Sequence, residues 1–155
     1  MGIFGGYRAD RLIAEVRESG DPTSAKAKSA LARLQSLGPN AIKPIVDALA
    51  TADKRETIAF VEILTPLVDN KSFPLLAQAL AEENPRAVAG VALAMASSRN
   101  FSPTLLLNLL SQPGVSRPAV LDIITSHKTR FQLRDLLNAA YQQEPNEKAA
   151  LFRID

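Results

Sequence analysis

Apolar positions in this chain recur every thirty or thirty-one residues, which limits the possible folds more than any other feature. Ile45, Leu76, Leu106 and Leu136 are separated by 31, 30 and 30 residues, and Leu49, Leu80, Leu110 and Ala140 follow the same steps four residues later. Positions four apart share a helical face. A second series, Leu31, Val61, Ala92 and Ile123, runs at intervals of 30, 31 and 31, with Leu34, Leu64, Met95 and Ser126 three residues on. A unit of two helices is thus repeated about four times. One such pair cannot bury its apolar face alone, whereas stacked pairs cover one another.

Punctuation supports the helical reading. Asp21-Pro22, Asn84-Pro85 and Ser102-Pro103 each read as an N-cap followed by proline at the first helical position. The cap oxygen accepts an orphan amide, and proline there gives up no bond. Phe101 can fold back on Leu106 as a hydrophobic staple. Gly38-Pro39 and Pro113-Gly114 read as stops, and Pro66 should kink or end its helix. The predicted helices span 8–18, 23–37, 40–51, 54–67, 72–82, 85–97, 102–111, 116–127, 131–142 and 146 onward. No run of strict alternation marks a strand. The chain reads as all-α, with residues 1–7, the glycine-rich "MGIFGGY", a mobile end and 8–155 a single domain.

These units resemble the HEAT repeat family in its short bacterial form. "NAIKPIVDALATAD", "SFPLLAQALAEENP" and "FSPTLLLNLLSQPG" look like the second helix of such repeats, and "ENPRAVAGVALAMA" looks like the first. The resemblance covers roughly residues 21–155 and departs from the pattern at Pro66 and in the weakly apolar 23–30. It implies a right-handed α-α superhelix of about four pairs plus terminal helices, whose members are mostly scaffolds and adaptors. "NEKAALFRID" aligns with the opening of another first helix. Either the chain is truncated at its C-terminal end or that helix is a cap, and truncation is the expectation.

Composition narrows the chemistry. Lys and Arg number 18 against 16 Asp and Glu, so the balance is only +2. Nucleic-acid binding through bulk charge needs a stronger and more clustered field. There is no cysteine, which excludes disulfides, thiolate nucleophiles and cysteine zinc sites. The longest apolar run, Ala87 to Ala96, is far short of the roughly 20 residues that cross a bilayer. The expected location is cytoplasmic, with no membrane partner. The sole histidine, His127, lacks carboxylates at ligand spacing and has no identifiable nucleophile to serve. It reads as a cation favoured by a helix C-terminus. No phosphate-cradling glycine motif is present. The expectation is no catalytic residue, no metal and no cofactor.

Two polar series carry the functional expectation. Asp47, Gln78, Asn108 and Asn138 recur on the second helices, with Lys43, Pro74, Thr104 and Arg134 one turn earlier and Thr51, Glu82, Gln112 and Gln142 one turn later. The resemblance implies that second helices line a concave side, so these rows should form a polar strip for a protein or peptide partner. The same amides could instead lock neighbouring repeats. The other series, Arg55, Arg86, Arg117 and Lys148, repeats every 31 residues in the first turn of first helices. A helix dipole disfavours cations there. Pairing with acids such as Asp53, Glu82 or Glu83 explains them best, with a basic edge for an acidic partner as the other reading. Among functions, a non-catalytic interaction scaffold comes first. The alternatives resemble the HEAT-like alkylpurine DNA glycosylases, which use a strongly basic groove, or a subunit of the HEAT-like phycobilin lyases.

Overall fold

The computed structural model describes the backbone of residues 2–127 and the side chains of 8–127. Among these residues there are eight α-helices and no strand. They are α1 (Gly2–Glu18), α2 (Ala25–Ser36), α3 (Ile42–Leu49), α4 (Lys54–Leu64), α5 (Phe73–Ala79), α6 (Pro85–Ser97), α7 (Thr104–Leu109) and α8 (Arg117–Ser126). Each matches one of the first eight predicted spans. The predicted helices 131–142 and 146 onward lie outside the described residues. No described helix is long and apolar enough to cross a membrane.

The first helix starts at Gly2 instead of residue 8. Glycine costs about 1 kcal/mol per residue in a helix, but adding a turn to an anchored helix is far easier than nucleating one. α1 is anchored along α2 and α3.

Helix starts follow a pattern only partly visible in the sequence. The caps of α2, α4, α6 and α8 are Ser24, Asp53, Asn84 and Ser116, and each side chain accepts the N–H three residues on. Asn84 is the predicted cap. Asp21 is not one, because its carboxylate turns to the Thr23 N–H (2.9 Å) and hydroxyl (2.7 Å) and leaves Ser24 to start α2. Ser102 is not one either: its hydroxyl lies 3.0 Å from that of Thr104, and α7 begins without a side-chain cap. Gly38 and Gly114 take positive φ, +66° and +86°, which glycine adopts without strain. α4 stops at Leu64 and continues as one 3-10 turn, Thr65–Leu67, holding Pro66 as expected.

Most of the recurring positions form the core, with Ala92 only half-buried. Ile45, Leu76 and Leu106 are fully buried, as are Leu49, Leu80, Leu34, Leu64 and Met95, with Leu110 nearly so. Ser126, the last member of its series, is exposed, and Leu136 and Ala140 fall outside the described residues.

The pairing of helices differs from the expected phase. The predicted unit joined a first helix to the second helix after it, α2 with α3 and α4 with α5. Of helices consecutive in the chain, those that pack on each other are instead α1 with α2, α3 with α4, α5 with α6 and α7 with α8, while α6 packs more extensively on α8, α3 and α4 than on α5. Periodicity is blind to this choice, because both phases repeat at the same interval. With pairs so defined, the remaining packings of helix on helix (α1–α3, α2–α4, α3–α5, α3–α6, α4–α6 and α6–α8) join only adjacent pairs.

Hydrogen bonds between adjacent pairs keep this register. Asn84 and Arg86 donate to the Ala50 and Ala52 carbonyls, both 34 residues back, at 3.4 and 3.3 Å. The Ser98 hydroxyl donates to the Val68 carbonyl (3.3 Å), the Ser102 N–H to the Asn70 side chain (2.7 Å) and the Ser116 N–H to the Leu80 carbonyl (3.1 Å). Arg17 works from the other end, donating to the Ala48 carbonyl (2.9 Å) and the Thr51 hydroxyl (3.0 Å), with Glu56 3.5 Å away. A donor turned to a carbonyl at the end of a helix satisfies a group that the helix leaves open.

Candidate functional site

The strip predicted on the second helices is at the surface. Lys43, Asp47, Thr51, Gln78, Glu82, Thr104, Asn108 and Gln112 are all exposed, beside the buried positions of the same helices and turns. Helix geometry causes this: Asp47, Gln78 and Asn108 each lie two residues from a buried leucine or isoleucine, about 200° around the axis. The outer row is built alike in three pairs. Thr51, Glu82 and Gln112 lie just past α3, α5 and α7, and each N–H donates to the carbonyl three residues back at 3.2 Å. Arg134, Asn138 and Gln142 lie outside the described residues.

Four members are brought together. Lys43 Nζ is 2.9 Å from the Asp47 carboxylate and 4.0 Å from that of Glu82. The hydrogen bond to Asp47, then its charge, holds the Lys43 ammonium above its ordinary value. Lys43, Gln78 and Glu82 rim a depression of about 50 Å³ whose apolar wall includes Val46 and Leu75. Thr104, Asn108 and Gln112 do not line that depression. Among the described residues the Gln78, Asn108 and Gln112 side chains make no hydrogen bond to protein. Beyond Asp47 the same side of the molecule continues as a groove of about 440 Å³ between α1 and α3, rimmed by Asp10, Glu18 and Asp47.

The basic ladder has a different outcome from the expected one. Its arginines are engaged, but mostly not by acids at helix ends. Arg55 meets the Asp21 carboxylate at 2.6 Å, Arg86 meets the Ala52 carbonyl, and Arg117 donates to the Leu110 carbonyl. Carbonyls at a helix C-terminus carry the negative end of the dipole. Arg117, at the start of α8, is thus recommended by the end of α7, whereas Arg86 meets a carbonyl in the turn between α3 and α4. Of the proposed acids, Asp53 caps α4, Glu82 faces Lys43 and Glu83 has no ion-pair partner among the described residues. Lys148 lies outside them.

Thr23, first by its hydroxyl and then its N–H, holds the Asp21 carboxyl below its ordinary value, with help from Arg55. A carboxyl lowered on folding contributes stability above its unfolded value and loses it as pH falls through the folded one. Asp21→Asn is therefore expected to flatten the acid side of the stability profile. Thermal melts near neutrality and in acid check this; equal acid sensitivity in both proteins would contradict it.

His127 stands at a helix end as expected, but it is not a surface cation. It is fully buried, edge-on to Phe101 at 5.1 Å, which in turn lies 5.6 Å from Phe73. Its Nε2 is 2.8 Å from the Met95 carbonyl, and Arg99 Nη1 is 3.1 Å from Nδ1 and 3.5 Å from Nε2. A carbonyl only accepts and a guanidinium only donates, so Nε2–H donating to Met95 and Nδ1 facing Arg99 fits both contacts. The arrangement welds α8 to α6. Among the described residues no group of three or more His, Cys, Asp or Glu could hold a metal.

The sequence reading missed the outer side of the first helices. Ile58 on α4 and Leu93 on α6 are 60% and 54% exposed, and both border grooves. A signal was present: α6 contains a single charged residue, Arg86, and is apolar nearly all round. Such a helix belongs in an interior, yet one side of it faces out. No family model, curated protein or solved structure matches the chain.

Proposed function

We propose that this chain is a non-catalytic interaction scaffold, a HEAT-like right-handed superhelix that holds a protein or peptide segment along the exposed polar row of its second helices. Packing confined to adjacent pairs supports the open array, since that is how repeat solenoids are built. The observation that carries the binding role is the exposure of Gln78, Asn108 and Gln112 with their amides unengaged. An amide offers both donors and an acceptor, so regularly spaced amides suit a polypeptide backbone. A cysteine-free chain fits the reducing cytoplasm as its place of work. A DNA backbone would meet the exposed Asp47 and Glu82 carboxylates, and no duplex binding is expected at moderate salt.

The double variant Gln78→Glu, Asn108→Asp adds charge without changing shape. A photo-crosslinking residue placed beside Gln78 is expected to trap a defined protein in cells, and the double variant to lose it. The same probe at the exposed Lys26 on α2 should not trap that protein. Equal trapping from both positions, or trapping that survives the substitutions, would count against the proposal.

A further inference from the structure

The first helices carry a second surface, which meets the polar row only at Glu82. Between α6 and α8 runs a groove of about 630 Å³, with Val88, Ala92 and Ile123 in its lining and the exposed Leu93 beside them. Every charged residue of that lining is acidic: Glu82, Glu83 and Asp122. Glu82 is 4.0 Å from Lys43, whereas Glu83 and Asp122 have no ion-pair partner among the described residues. A smaller groove of about 400 Å³ between α4 and α6 shares Ala89 and Leu93 with the first, adds Ile58, and has Asp53, Lys54 and Arg86 in its lining. An apolar strip therefore crosses α4, α6 and α8, and its charged border is mixed at the α4–α6 groove but wholly acidic at the α6–α8 groove.

We infer that the α6–α8 groove docks an amphipathic helix of a partner protein whose apolar ridge is flanked by lysine or arginine. Two neighbouring helices form a trough into which the side-chain ridge of a third can settle, and small residues such as Ala89 and Ala92 let it approach closely. The charge follows from Glu83 and Asp122. Covering them with a neutral or acidic helix would strip water from anions without return, while a cationic flank neutralises them. This surface shares Glu82 with the polar row but not Gln78 or Asn108.

Two synthetic peptides of about 18 residues, roughly five helical turns, form the test. They share one leucine ridge and differ only in lysine or glutamate flanks, and binding is read by fluorescence anisotropy. The lysine peptide is expected to bind at least ~10-fold tighter. Leu93→Asp should abolish binding, and Glu83→Lys with Asp122→Lys should reverse the preference. If Leu93→Asp fails to fold by circular dichroism, the charge-reversed pair, exposed at both sites, still decides. The Gln78→Glu, Asn108→Asp protein should bind like wild type, which separates this inference from the proposed function. Equal affinity for both peptides, binding of neither, or indifference to the charge reversal would overturn it. So would a concentration-dependent dimer dissolved by Leu93→Asp, because the occupant would then be a second copy of the chain.

Discussion

Replacing Phe60 with alanine is expected to lower the free energy of unfolding by about 3–5 kcal/mol, the range for emptying a buried aromatic site. Phe60 is fully buried on α4, and α4 packs on α2, α3 and α6. The lost side chain therefore takes dispersion contacts and buried apolar area from the core between these helices. Because α4 packs on three other helices, the loss also loosens its neighbours. Urea unfolding checks the effect, with an unchanged slope showing that the denatured state is the same. A loss below about 1 kcal/mol would mean that the site collapses without a cavity, against the packing described here.

The second large effect is expected where α3 meets α6. A Cβ built on Gly90 would lie 2.8 Å from Leu49 Cδ1 and 3.0 Å from Cδ2. Leu49 is itself fully buried, so its methyls have no open space to move into. Glycine inside a helix costs about 1 kcal/mol relative to alanine, and here it lets two helices touch. Gly90→Leu should destabilise by about 1–3 kcal/mol, more where the backbone cannot shift. Leu49→Ala alone should cost about 2–5 kcal/mol. Combined, the two should cost less than their sum by about 0.5–3 kcal/mol, because the new side chain fills the space the old one leaves. Strict additivity in a double-mutant cycle would show that the two positions do not meet.

Much of the described architecture was legible because helices need ends. Proline, glycine and capping residues marked the eight spans, and the thirty-residue recurrence selected the buried positions, such as Leu34, Leu64 and Met95. What escaped had specific causes. Asp21 and Ser24 are both competent caps, and only the local turn with Thr23 decides between them. The pairing phase was hidden because α2–α3 and α3–α4 repeat at one interval. For the arginine ladder, acids could be read in the sequence, but carbonyls at helix ends have no letter of their own. His127 reads as an end-of-helix cation in sequence because nothing local shows that the Met95 carbonyl, 32 residues earlier, accepts a hydrogen bond from its ring.

The candidate site was legible as to place. Its rows are the outward complement of the core rows, so a correct register fixes both. Its clustering was not: Lys43 reaches Glu82 across two helices, whereas Asn108 stands apart from their depression. The outer apolar strip went unread because Leu93 and Val91 look alike in sequence, and only packing shows that Val91 is inside and Leu93 is not.

Equilibrium unfolding of the Gln78→Glu, Asn108→Asp protein tests most directly whether the polar row is a free surface. Exposed amides without protein partners should be replaceable with a change within about 0.5 kcal/mol and no loss of helicity. A drop of about 2 kcal/mol or more would mean that those side chains bind the repeats to one another. The row would then be part of the framework, with no docking surface there.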